Sequence, residues 1–289
     1  MCQSIIFVAV LSSALAVPVP VHFSTYQELG TVHAGRVDET SGLAASRLHP
    51  GVFYAHNDKG DSSRIFALDA QTGTLLATLE IDNARNYDWE DICVGTCGQG
   101  DSGYCIYIGD IGDHGGDGAH NIIYKVREPA TITSTSLPLV DTYKFRWNEP
   151  DAESLMIDPA GDLYIISKVH GGHALFAKLP ASGWGAPHPV DIPASDTARI
   201  RLHTDHNDPQ GADISPNGQE LLVKTEEGVY YYAVPNRDYV NVVGTTDPVR
   251  VETYHMRPAG EAVAWSVTGS GFYTLPEGAN PTFNFYRKL

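Results

Sequence analysis

Basic residues are scarce in this 289-residue chain: Lys and Arg number 19 against 35 Asp and Glu, a formal charge of −16. Phosphate backbones and anionic bilayers repel such a chain, which sets nucleic acid and membrane partners aside and favours cations. Helical periodicity is missing, because Pro, Gly and β-branched residues interrupt every candidate helix. There is no Gly-x-Ser-x-Gly elbow, no phosphate loop and no dinucleotide fingerprint. Asp110 to Gly118 is rich in Asp and Gly but lacks EF-hand spacing, so it reads as a lesser cation loop or a plain turn.

Long apolar runs are absent after the N-terminus. The run Ile5 to Ala16 is too short to span a bilayer and ends in the small-x-small pattern Ala14-Leu15-Ala16. Residues 1–16 are therefore expected to be a secretory signal peptide, although the positive leading segment is missing. Residues 17–289 would form one exported domain, expected to be secreted and monomeric.

Cysteine is sparse as well. Cys2 would leave with the leader, so Cys93, Cys97 and Cys105 remain. An exported chain permits disulfides. Cys97 and Cys105 flank a Gly-rich turn and are the expected pair, leaving Cys93 as a buried thiol in mid-strand. No spacing matches a zinc site. Gly100-Asp101-Ser102-Gly103 has the letters of a serine-protease nucleophile loop, but no His/Asp order supports a triad.

What the chain does contain is a repeat. Its clearest copy is Asp88-Trp89-Glu90-Asp91-Ile92, followed by Ile106-Tyr107-Ile108-Gly109-Asp110. Other copies open at Glu39, Asp151, Asp208 and Ala259. Each has a polar opener, an apolar strand, a turn, a second apolar strand with aromatics, and a third strand. The spacing suits four-stranded propeller blades. Fourth strands are expected at Thr74–Glu80, Asp141–Arg146, Ala198–His203 and Val249–Tyr254. The fifth unit runs out of chain, so Val21–Val32 should supply its missing strand and close the ring. The expectation is an all-β, five-bladed β-propeller, with six blades as the alternative.

The third residue of each opener gives the column Ser41, Glu90, Glu153, Gln210 and Glu261. Each would start an innermost strand and face the central channel. At ~7 Å separation and an effective dielectric of ~20, each like-charge pair costs about 2 kcal/mol. Protons, counter-cations or a metal must offset that. A wide ring of hard oxygen donors suits Ca²⁺. The plainer alternative is that these side chains satisfy loose backbone N–H groups at neighbouring strand starts.

The ends of the second strands add a rim of His56, Asn57, Asp58, Asp110, Asp113, Lys168 and Lys224. Acids from the first two blades would face lysines from the next two. Asp58 or Asp110 would serve as base, while His56, Asn57, Lys168 and Lys224 would grip a small anionic ligand. Alternatively, the two lysines are counter-ions for the ring. His170 with His173 could bind a metal, but loop histidines read more readily as solvated. The tryptophans read as packing residues.

The order Ser, Glu, Glu, polar, Glu at five inner-strand starts resembles the calcium-activated nucleotidase (apyrase) family. These are secreted five-bladed propellers holding one Ca²⁺ in the central tunnel. That family's Asp-Asp-Arg-Thr-Gly turn corresponds here to Asn57-Asp58-Lys59-Gly60-Asp61, with Lys59 in place of Arg. Its fourth ring position, Ser, is Gln210 here. The resemblance implies the fold, a Ca²⁺ cofactor and hydrolysis of a nucleotide-like phosphate. Trp89-Glu90-Asp91-Ile92 and Gly109-Asp110-Ile111-Gly112-Asp113 also resemble secreted propellers of undefined function, which implies a non-catalytic extracellular binding module as the alternative.

Overall fold

Strands that are apolar on both faces need cover on both sides. In the computed structural model, which describes residues 21–98, 100–112, 121–255 and 260–289, that cover comes from neighbouring sheets. Five antiparallel sheets stand around one axis. The first blade, from the axis outwards, is Thr40–Ala45, Val52–Asn57, Arg64–Asp69 and Leu75–Ile81. The second is Trp89–Thr96, Tyr104–Asp110, Ile122–Arg127 and Leu139–Arg146. The third is Ala152–Ile157, Leu163–Ser167, Val169–Lys178 and Thr197–Asp208. The fourth is Gly211–Ile214, Glu220–Lys224, Val229–Ala233 and Val249–Arg250. The fifth is Ala262–Trp265, Gly271–Leu275, Thr282–Arg287 and, outermost, the N-terminal strand Gln27–Thr31.

The ring closes as the repeat predicted. Gln27 pairs with Phe285 and Thr31 with Thr282, and Phe23 adds a bridge to Lys288. Each inner strand packs on the next, and the fifth packs on the first. Burial follows position. The inner strand Thr40–Ala45 is buried throughout, whereas the outer Leu75–Ile81 alternates between buried and exposed. The core is divided accordingly into clusters that each lie between adjacent blades. Trp89, Tyr54 and Ile108 fill the gap between the first and second, and Phe53, Leu275 and Phe283 the gap between the fifth and first. Trp89 and Trp265 are fully buried packing residues. Gly161, Gly218 and Gly269 hold φ of 92°, 71° and 69° in the inner hairpin turns of blades three to five, a conformation that a side chain disfavours.

Three features depart from the expected pattern. Thr135–Leu137 and Val190–Asp191 add short parallel strands to the outer edges of the first and second blades. A seven-residue helix, Tyr239–Thr245, connects the last two strands of blade four and buries Tyr239 and Val243 beside the third blade. The outer strand of blade four is confined to Val249–Arg250. Residues 1–16, Cys2, Asp113, His114 and His120 lie outside the described residues. Among the described residues no helix is long and apolar enough to cross a membrane.

Candidate metal centre at the tunnel mouth

The ring positions occupy a recurring local structure. In blade one the pairing runs Thr40 to Asn57 and then Gly42 to His56, skipping Ser41. Glu90 is skipped in the same way between Trp89 and Asp91, and Glu153 between Ala152 and Ser154. Each of the three residues is the extra member of a β-bulge. A bulge frees a residue from the ladder and re-aims its side chain, here towards the axis.

The outcome is convergence. Carboxylate oxygens of Glu90, Glu153 and Glu261 lie within 4.8 Å of one another. Ser41 Oγ joins them, donating to the Glu90 carbonyl at 2.6 Å and contacting Glu261 Oε2 at 3.2 Å. At that spacing and an effective dielectric of about 20, each ionised pair costs about 3 kcal/mol. Burial pushes Glu90 well above the usual carboxylate range, and Glu153, Asp58, Asp88 and Glu261 push it further. Glu153 is raised by burial and by Glu261, against the pull of Lys168. Glu261 is raised by burial, with Lys168 opposing. Two oxygens, Glu90 Oε1 and Glu153 Oε2, are buried with no hydrogen-bond partner among the described residues. The backbone of Gly112 lies over the first of these: a Cβ built there would fall 2.0 Å from Glu90 Oε1.

Both rim lysines turn inward. Lys168 Nζ donates to Glu153 Oε1 and lies 3.8 Å from Glu261 Oε1. Burial works against its charge, but Glu153, Glu261 and Glu90 outweigh that and raise its pKa. Lys224 is 1% exposed and donates to Gln210 Oε1 at 2.8 Å. Burial lowers its pKa to about 8, although Glu261 and Asp208 oppose the shift. Gln210 is thus engaged with Lys224. Lys168 sits as a counter-ion of the ring, the alternative that the sequence left open, whereas Lys224 bonds Gln210 and the Thr225 carbonyl.

The first-blade rim divides. Asp58 is partly exposed and lies within 4.8 Å of Asp88 and Glu90. Asn57 is committed to the loop, donating to the Arg36 carbonyl at 2.8 Å and to Asp61 Oδ2 at 3.2 Å. His56 is fully buried, edge-on to Trp89, and burial lowers its pKa. Its Nε2 lies against Gly42, where a Cβ would be 2.5 Å away. Asp110 is fully buried; it accepts from the Asp88 backbone N–H at 2.9 Å and from Tyr124 at 3.3 Å, which anchors the start of the neighbouring strand.

Asp88, part of the acidic opener Asp88-Trp89-Glu90-Asp91, completes the second carboxylate group. One rim acid escaped the sequence reading. Glu277 follows the second strand of blade five, where the rule applied to the other four blades would have found it. Burial raises its pKa, with Asp58 adding to the shift and Lys224 opposing it. Cys97 and Cys105 form the expected disulfide with Cα atoms 5.0 Å apart, and Cys93 is free and buried. Among the described residues no metal-type group includes His170 or His173, and His173 Nδ1 bonds the Ile200 carbonyl at 2.9 Å.

No protein-family model and no curated protein matches the chain. The comparisons therefore do not show the nucleotidase resemblance. Among solved structures, the chain is similar to the PQQ-bound aldose sugar dehydrogenase of Streptomyces coelicolor, at 11% identity and a TM-score of 0.51, covering 95% of this chain and 100% of that one. It is also similar to hydrazine synthase of Kuenenia stuttgartiensis, at 12% identity and a TM-score of 0.45, covering 84% and 82%. At these identities the first likeness shows the fold alone, and the second is too low to draw on.

Proposed function

We propose that the tunnel mouth is a Ca²⁺ site in an exported propeller that hydrolyses a small, nucleotide-like phosphate. The observation that carries this reading is the pair of buried oxygens on Glu90 and Glu153 that have no hydrogen-bond partner among the described residues, set beside Glu261. The donor chemistry fits: hard carboxylate oxygens and a serine hydroxyl are calcium ligands, and nothing soft is present. Among the described residues, Asp58, Asp88, Glu90, Glu153, Glu261 and Glu277 stand at the mouth with Lys59, Lys168 and Lys224, an excess of negative charge that a divalent cation offsets. Glu90, Glu153, Glu261 and Ser41 would hold the ion. Bound there, Ca²⁺ supplies positive charge for an anionic ligand. Asp58, the partly exposed carboxylate of the rim, is placed to take a proton from water, whereas Asp110 holds the Asp88 strand. Export is supported by the Cys97–Cys105 disulfide and by the leader-like residues 1–16.

The test is phosphate release from nucleoside di- and triphosphates with Ca²⁺ and with EDTA. The expected result is Ca²⁺-dependent turnover that Asp58→Asn reduces at least about 100-fold, in the range for lost proton transfer, with Ca²⁺ binding intact. No Ca²⁺-dependent turnover on any nucleotide removes the hydrolase. One observation favours a second reading, a non-catalytic binding propeller with structural calcium: Lys168 and Lys224 are engaged inside the ring and do not reach out over the rim. A melting temperature that rises with Ca²⁺ in a protein inert to phosphates is its signature.

A further inference from the structure

The inner strands all start at the acidic mouth, so their other ends gather at the far side of the axis. A cavity of about 480 Å³ opens there. Residues at or just after the ends of all five inner strands line it, among them Arg47, Val94, Ile157, Pro216 and Val267. Its volume is that of a small-molecule site. Much of the wall is apolar. The charged groups on it are Arg47, Asp101 and Asp158.

Both acids are already satisfied within the protein. Asp101 forms an ion pair with Arg127 at 2.5 Å and accepts from the Gly103 N–H at 2.8 Å. Asp158 accepts from the backbone of Ala160 and Asp162, and from Tyr164 Oη at 3.2 Å. Arg47 is different. Its Nε donates to the Val94 carbonyl at 3.1 Å, which fixes the guanidinium to the neighbouring blade. Among the described residues no carboxylate lies at ion-pair distance from it, and its charge reaches Asp213 only as a pull on that group's pKa. A partly buried guanidinium held by one nitrogen keeps its paired Nη donors for a planar, two-oxygen acceptor.

We propose that this far mouth is a second ligand site, independent of the acidic ring, which binds a small organic carboxylate. The carboxylate sits on Arg47, and its apolar body lies against Val94, Ile157 and Val267. The two ends of the tunnel would then be chemically opposite, one taking a cation and the other an organic anion.

The experiment is calorimetric titration of the protein with benzoate, 3-phenylpropionate and hexanoate, with benzyl alcohol as the neutral control. Glu90→Gln protein and protein in EDTA are titrated in parallel, which separates this site from the ring. The expected result is binding of at least one carboxylate, unchanged in Glu90→Gln and in EDTA, and at least tenfold weaker for benzyl alcohol. Arg47→Gln should weaken it at least tenfold. Val267→Glu, which adds a carboxylate to the same wall and leaves the Arg47–Val94 tie alone, should do the same if Arg47→Gln fails to fold. No binding of any of the three carboxylates, or equal binding by both variants, overturns the proposal. Binding lost with Glu90→Gln would assign the carboxylate to the ring instead.

Discussion

Replacing Glu90 with Gln should move stability in opposite directions with and without calcium. The metal-free protein holds three carboxylates with oxygens inside 4.8 Å, two of them with an oxygen that lacks a hydrogen-bond partner among the described residues. Each ionised pair at that distance costs about 3 kcal/mol at an effective dielectric of about 20. Glu90→Gln abolishes four such contacts, with Glu153, Glu261, Asp58 and Asp88. Partial protonation and Lys168 already relieve part of that repulsion, so the net gain should be about 2–3 kcal/mol. For a chain of this size that is about 5–10 °C in Tm. The same substitution removes a calcium ligand, so the Ca²⁺-dependent rise in Tm should shrink or vanish. The assay is a thermal melt of both proteins in EDTA and in a Ca²⁺ series. A Glu90→Gln protein that is less stable in EDTA, yet still stabilised by Ca²⁺ like the parent, would refute the reasoning.

Two further outcomes follow from the same physics. Asp213, partly buried on the inner strand of blade four, accepts from the Trp265 N–H at 2.7 Å, and desolvation raises its pKa to about 7 although Arg47 opposes the shift. A folded-state pKa above the unfolded value means that the folded protein holds the proton more tightly, so this group's contribution is full below about pH 4 and is lost as pH rises through about 7. Asp213→Asn keeps an acceptor for Trp265 but cannot ionise. Its stability should match the parent near pH 4 and exceed it by up to about 4 kcal/mol at pH 8. Denaturant titrations across that range check this, and a pH-independent difference counts against it. Deleting residues 21–32 removes the outer strand of blade five and opens the ring. The product should be unfolded or associate through the exposed edge, visible by circular dichroism and size exclusion, whereas a folded monomer would show that closure is dispensable.

The blades were legible in the sequence because each unit repeats the same order of opener, strand and turn. The ring column was legible because the third residue of each opener occupies the same register, and in three blades the same bulge. That alignment gave the positions of Ser41, Glu90, Glu153 and Glu261 without any coordinates. It could not give the direction of the lysines. Lys168 and Lys224 leave the ends of second strands, and only the packed blades show that they turn back to Glu153 and Gln210. The helix Tyr239–Thr245 escaped because seven residues containing Val, Asn and Gly carry neither a helical period nor strong helix propensity. The short parallel edge strands escaped because their partners are blades away in sequence.

Metal content of the purified chain is the most direct measurement. Protein dialysed against Ca²⁺ and then against metal-free buffer should retain one Ca²⁺ per chain, and Glu90→Gln and Glu153→Gln proteins should retain much less. A parent chain without calcium, or variants that hold as much as the parent, would contradict a metal centre between Glu90, Glu153 and Glu261.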